Sequence, residues 1–280
     1  MAKKPIEKQE FVLNEYVHRC LVVKHSTNTP WIIGYNGFGR SAQDLLDFFE
    51  RIDLGQNFNL LAIENPYHGG FQNADPIIHP ITKNHLEAAL NHFKTLNNIE
   101  TFHLFGYSMG GKIVGNLLTL KTVKPKSAIL LGSEGYDKRG FYLFLSNKEW
   151  LLKFARLVIE KPTILLWVIK MLGNFKIIRR DLSVFLRQQI SDEHKRTLIF
   201  NTWCSLRYVQ DTFRKIQPGN KIIVIYGKYD PVIRWKKLKQ CLIKTELKSL
   251  TFHELKTGHS LLKNKHSEDL KKILNEKTLA

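Results

Sequence analysis

Five places in this 280-residue chain carry groups that could do chemistry together: Asn36-Gly37-Phe38, Ser108, Glu134, Asp230 and His259. A serine hydroxyl is a poor nucleophile until a base takes its proton. Histidine is such a base, and a buried carboxylate fixes which ring nitrogen carries the hydrogen. Glu134 and Asp230 each offer that carboxylate. Attack on an acyl carbon also puts negative charge on an oxygen, which backbone N–H groups must be waiting to receive. The set is what acyl transfer needs.

The local sequence around the serine says how it is held. Residues 101–120 read TFHLFGYSMGGKIVGNLLTL. Phe102, Leu104 and Phe105 begin a short buried strand, and Ile113, Val114, Leu117, Leu118 and Leu120 fall at helical spacing. Between them lies a glycine-rich turn with Ser108 at its apex. A strand passes into a helix this sharply only if the apex residue takes a strained backbone. Its neighbours two before and two after then need to lack side chains, and they are Gly106 and Gly110. The serine oxygen is thereby held out at the carboxyl end of the strand, over a helix N-terminus whose free N–H groups favour negative charge.

The other candidate residues follow predicted strands in the same way. Strands are expected at 31–34, 59–63, 127–131, 222–225 and 250–255, with one or two more within 11–25. Helices are expected after Ser41, which with Asp44 has the spacing of an N-terminal cap, and at 81–96, 234–244 and from about 268. Strands alternating with helices predict an α/β fold: a mostly parallel sheet with helices on both faces. In such sheets ligands meet the carboxyl ends of the strands, where these loops lie. Residues 136–217 break the alternation; they are helical, aromatic and basic. The expected organisation is 1–135 and 218–280 as two parts of one domain, with 136–217 as an inserted cap.

Composition is that of a globular protein, 43% hydrophobic and 24% charged. Cys20, Cys204 and Cys241 are scattered and odd in number, which argues against a disulfide framework or a structural zinc site and fits a reducing compartment. The first ten residues have a basic start with no apolar run behind it, unlike a secretory signal. The longest apolar run, 164–169, falls far short of the ~20 residues of a membrane-spanning helix. The net charge of +18 points either to nucleic acid, an anionic membrane surface or an acidic substrate as partner, or to a solvated basic surface without one, and the 136–217 segment holds 16 lysines and arginines against 7 acids. No helix-turn-helix, zinc or RNA-binding signature supports nucleic acid as that partner. No phosphate-binding glycine loop is present either.

Taken with their order along the chain, Ser then Asp then His, these motifs resemble the α/β-hydrolase fold family over nearly the full length. Ser108 in GYSMGG is similar to the family's nucleophile elbow, Asp230 in YGKYDPVI to the acid after the penultimate strand, and His259 in TGHSLL to the base after the last strand. NGFG at 36–39 matches the oxyanion loop, and ENPYHGG at 64–70 a loop often seen with a Pro-x-His-Gly turn, where His68 is expected to brace. The resemblance implies a serine hydrolase acting on an ester, thioester or related acyl bond. Its triad would be Ser108, His259 and Asp230, with the Phe38 and Met109 N–H groups as oxyanion donors and no cofactor or metal. Glu134 is the rival acid. One departure is visible: the family's oxyanion loop usually begins His-Gly, and here it begins Asn36-Gly37. The competing reading is a non-catalytic binding protein on the same fold.

The cap is expected to cover an apolar acyl group with residues such as Phe141, Tyr142, Phe144, Trp150, Phe154 and Trp167. Lys148, Lys153, Arg156, Lys161, Lys170, Lys176, Arg179 and Arg180 alternate with its apolar residues at roughly helical spacing. They predict either an anionic membrane surface or an acidic acyl carrier as partner, with a peripheral place at the membrane for a protein that its cysteines put in the cytoplasm, or solvated lysines around an apolar face that packs on the protein itself.

Overall fold

The computed structural model describes residues 4–26, 29–68, 74–134, 148–175, 177, 183–184, 187, 190–209, 213–233, 235–247 and 249–276. An eight-stranded sheet forms its frame: β1 (Glu7–Leu13), β2 (Tyr16–Val23), β3 (Trp31–Tyr35), β4 (Asn59–Ile63), β5 (Phe102–Tyr107), β6 (Ala128–Leu131), β7 (Lys221–Gly227) and β8 (Ser249–Leu255). Their order across the sheet is β1-β2-β4-β3-β5-β6-β7-β8. From β4 to β8 every pairing is parallel, while β2 runs antiparallel to both β1 and β4. The fold is therefore α/β and mostly parallel, as the alternation of elements predicts. β3, β4, β5 and β6 are buried along their whole lengths. That is why they read as continuous apolar runs: helices cover both faces.

The first helices to alternate with these strands are α1 (Ala42–Arg51), the single turn α2 (Leu54–Asn57), α3 (Lys83–Leu96) and α4 (Met109–Leu117). Ser41 and Asp44 do cap α1. The Ser41 hydroxyl accepts from the Asp44 N–H (3.1 Å), and the Asp44 carboxylate accepts from the Ser41 N–H (2.8 Å). Such a reciprocal cap stabilises by about 1 kcal/mol. α1 buries Ala42, Leu45, Leu46, Phe48 and Phe49 in a core shared with Phe105, Ile129 and Ile223 of the sheet.

The chain divides into two compact units. The sheet unit comprises Met1–Asn73, Thr82–Asp137 and Val209–Ala280; the second comprises Ala74–Ile81 and Lys138–Tyr208. The second unit contains α5 (Glu149–Glu160), α6 (Thr163–Asn174) and α7 (Glu193–Ser205). Its small core joins Ile77, Leu152, Phe200 and Cys204. Two arginines bind the Ala74–Ile81 segment into it. Arg156 holds Asp75 through two hydrogen bonds of 2.7 and 2.9 Å, and buried Arg207 donates to the carbonyls of Pro76 and Ile77 at 2.6 Å each. Back in the sheet unit, α8 (Trp235–Ile243) and α9 (Ser267–Glu276) complete the order. The three cysteines are buried thiols.

Candidate active site

Ser108 lies between β5 and α4 with φ 50° and ψ −114°. Positive φ is rare for a residue with a side chain and costs on the order of 1–3 kcal/mol. Hydrogen bonds on both sides hold it there. Its N–H donates to the Leu131 carbonyl of β6, and its own carbonyl accepts from the N–H groups of Gly111 and Glu134, each at 3.0 Å. The surrounding glycines answer to close approach. A Cβ on Gly106 would stand 2.6 Å from the Gly111 Cα, and one on Gly110 only 2.1 Å from the Tyr35 carbonyl oxygen of β3. Gly110 is thus required by the neighbouring strand as well as by the turn.

His259, beyond β8, brings its Nε2 to 3.0 Å from the Ser108 hydroxyl. Its Nδ1 lies 2.8 Å from the Asp230 carboxylate, which follows β7. An ionised carboxylate only accepts, so Nδ1 carries the hydrogen and Nε2 is left to accept the serine proton. The Asp230 side chain is 1% exposed. Burial pushes its pKa up, but the hydrogen bonds from His259 and from the Ile233 and Val232 N–H groups (2.9 and 2.8 Å) outweigh this and hold it below the usual carboxylate range. The two loops are brought together by their strands. A Cβ on Gly227 would meet the Gly258 carbonyl at 2.4 Å, and the Tyr229 N–H donates to the Thr257 carbonyl at 2.9 Å.

Glu134 stands apart from this relay. Its backbone supports Ser108, its side chain is half-buried, and the carboxylate on His259 is Asp230. Tyr107, beside the nucleophile, takes part as well. The Tyr107 hydroxyl donates to the His259 carbonyl at 3.1 Å, and the two rings stack at 5.8 Å between centroids. Nothing in a tyrosine beside a serine signals this. Lys112, one helical turn beyond Ser108, is pushed by burial down to about 8, with Glu134 opposing the shift.

The loop after β3 runs alongside the nucleophile. A Cβ on Gly37 would fall 2.9 Å from the Tyr107 ring and 3.2 Å from the Ser108 Cβ. Asn36, fully buried, braces this loop. Its side-chain oxygen accepts from the Gly37 N–H (2.8 Å) and its amide donates to the Ser41 carbonyl (2.6 Å). Asn65, from the loop after β4, donates in turn to the Asn36 carbonyl at 2.5 Å. Phe38 follows, its ring exposed and meeting His68 edge-on at 5.3 Å. His68 Nδ1 bonds the Pro66 carbonyl at 2.8 Å, so this histidine holds its own loop and the Phe38 ring. Burial lowers its pKa, and that bond opposes the shift. Met109 opens α4, and the first N–H groups of a helix have no intrahelical acceptor. Among the described residues no three His, Cys, Asp or Glu side chains converge so as to hold a metal ion.

No family model matches the chain, and no curated protein matches it in sequence. Solved structures do match in shape. One is MGS-M2, an alpha/beta hydrolase enzyme from a Medee basin deep-sea metagenome library. It is 14% identical, the match covers 95% of this chain and 96% of that one, and the TM-score is 0.65. A thioesterase domain from the curacin biosynthetic pathway is 12% identical, with 97% and 99% covered and a TM-score of 0.62. A structure from work on carboxylesterases of the thaumarchaeon Nitrososphaera gargenis is 15% identical, with 95% and 96% covered and a TM-score of 0.62. At such identities the likeness establishes a shared fold.

Proposed function

We propose that this chain, built on the α/β-hydrolase fold, is a serine hydrolase that cleaves an ester, thioester or related acyl bond in two steps. The observation that carries the reading is the unbroken relay from the Ser108 hydroxyl through His259 to Asp230, set on a strained turn at the end of β5. Ser108 attacks the acyl carbon while His259 Nε2 takes its proton. The oxyanion is received by the N–H groups of Met109, at the start of α4, and of Phe38, in the loop beside the serine. His259 then gives its proton to the leaving group. In the second step it deprotonates water, which attacks the acyl-serine and frees the acid. Asp230, ionised and buried, keeps Nδ1 protonated and stabilises the imidazolium formed in each step.

The neighbours in shape include a thioesterase domain and a carboxylesterase structure, which suits an acyl substrate. An apolar acyl group fits the aromatic composition of the 136–217 segment, although Phe141, Tyr142 and Phe144 lie outside the described residues. A fluorophosphonate probe tests the reading directly. It should label the protein at Ser108 and leave Ser108→Ala unlabelled, while esters and thioesters of graded chain length give turnover only with the parent protein. Labelling elsewhere, or turnover retained by folded Ser108→Ala, would refute it.

A further inference from the structure

α5 has two apolar faces. Leu152 is buried, and Ala155 and Ile159 pack beside it against Ile77, Phe200 and Cys204. On the outward side, Trp150, Phe154 and Leu157 recur at i, i+4 and i+7, which sets them in one stripe along the helix. They are 66%, 62% and 58% exposed. α6, in contact with α5, repeats the pattern with Ile164 and Trp167, 71% and 62% exposed, at i and i+3. Large apolar side chains stand singly on most surfaces without needing explanation; a run of them along two consecutive helices does need one.

The charges around these side chains indicate what covers them. Lys148, Lys153, Lys161 and Lys170 are all exposed at the ends and flanks of α5 and α6, against exposed Glu149 and Glu160 at the two ends of α5. Arg156, expected from the sequence to share this role, is instead turned to Asp75 within the unit's own interior contacts. Lys176, Arg179 and Arg180 lie outside the described residues. Lys153 meets Glu149 at 2.8 Å, an exposed pair of the weakly held kind. No described helix is long and apolar enough to cross a membrane. At twelve residues each, α5 and α6 would extend only about 18 Å, well short of a bilayer's hydrocarbon core. They can lie in an interface and cannot span it. Tryptophan favours that depth, where its ring meets acyl chains and its N–H meets headgroups.

We infer that the outward face of α5 and α6 docks on an anionic lipid surface, with Trp150, Phe154 and Trp167 entering the acyl boundary and the four lysines meeting phosphate headgroups. A protein partner of ordinary composition would leave the lysines without a matching field. An anionic bilayer answers both the apolar stripe and the charge around it. Docking is independent of turnover, so it stands or falls separately from the hydrolase reading.

The test uses the full chain carrying Ser108→Ala, mixed with vesicles of phosphatidylcholine alone or of phosphatidylcholine with phosphatidylglycerol. The protein should sediment with the anionic vesicles and remain in solution with the neutral ones. Binding should weaken with added salt, and tryptophan emission should move to shorter wavelength. Changing Lys148, Lys153, Lys161 and Lys170 to Gln should lower vesicle affinity about fivefold per residue. Trp150→Ser with Trp167→Ser should abolish the emission shift, and because both side chains are exposed, an unchanged thermal transition would show the fold intact. Equal binding to the two vesicle types, no binding to either, or binding indifferent to the four lysines would overturn the inference, even if an acidic carrier protein were found to bind.

Discussion

α1 and α5 are both helices of mixed apolar and charged residues, yet they dispose of their apolar residues differently. α1 buries Ala42, Leu45, Leu46, Phe48 and Phe49 and turns Gln43, Asp47 and Glu50 outward. α5 buries Leu152 and still shows Trp150, Phe154 and Leu157 to the outside. The sheet unit has eight strands whose faces absorb apolar stripes; among the described residues of the second unit the core is a small cluster around Phe200. The lesson is that periodicity reveals an apolar face, and only tertiary structure reveals whether anything lies over it. Substitutions should accordingly be felt strongly around the strand ends and weakly on the outer side of α5.

The largest effect is expected at the relay. Asp230→Asn should cost about 10⁴-fold in kcat, because an amide in that place no longer holds the imidazole in the right tautomer. Glu134→Gln should cost far less; steady-state turnover of an ester compares the two, and a greater loss at Glu134 would reverse the assignment. Next comes Gly110→Ala, which drives a methyl group into the Tyr35 carbonyl and should destabilise by about 3 kcal/mol in denaturant unfolding.

Acid should act next, and through the sheet unit. Burial, with His85 and His92 nearby, pushes His18 down to about 3, and burial with Lys126 and Lys221 nearby pushes His103 down to about 4. Both are neutral when folded and take up protons once unfolded, near pH 6.5. Their contribution is complete above that pH and is lost as pH falls below it, at about 1 kcal/mol per imidazole per pH unit, until the folded values are reached. Unfolding free energies that stay flat from pH 7 to pH 5 would contradict this. The smallest effect is expected from Trp150→Ser, within about 0.5 kcal/mol of the parent by thermal unfolding. A markedly larger loss would mean that the outer face of α5 is covered after all.

The interior strands and the serine turn were legible because a single cause, burial between helices, writes them as apolar runs bounded by glycine. β1 was only partly legible. Its first residues, Glu7, Lys8, Gln9 and Glu10, are polar, and what makes them a strand is the ladder with Val22, Leu21, Cys20 and Arg19 at the sheet edge. Hydrogen bonds of that kind leave no apolar pattern, and charge on an edge strand guards against pairing with other chains. The allegiance of Ala74–Ile81 rests on Arg156 and Arg207, far along the chain, and no local signal could carry it. Ser108, Asp230 and His259 could be picked out because each follows a strand. The contribution of Tyr107 could not, since it depends on where the His259 carbonyl comes to lie.

One contact beside the serine turn reaches into how this sequence can drift. The Ser133 hydroxyl donates to the Gly106 carbonyl at 3.0 Å, and it fills the place a Cβ of residue 111 would take, 1.9 Å away. Positions 111 and 133 share one volume. Alanine at 111 needs glycine at 133, and glycine at 133 gives up the hydroxyl that steadies the turn. Single-step variation meets a clash in one direction and a lost hydrogen bond in the other. The pair is therefore expected to change together or not at all, a non-additive coupling between two sites that neither would show alone.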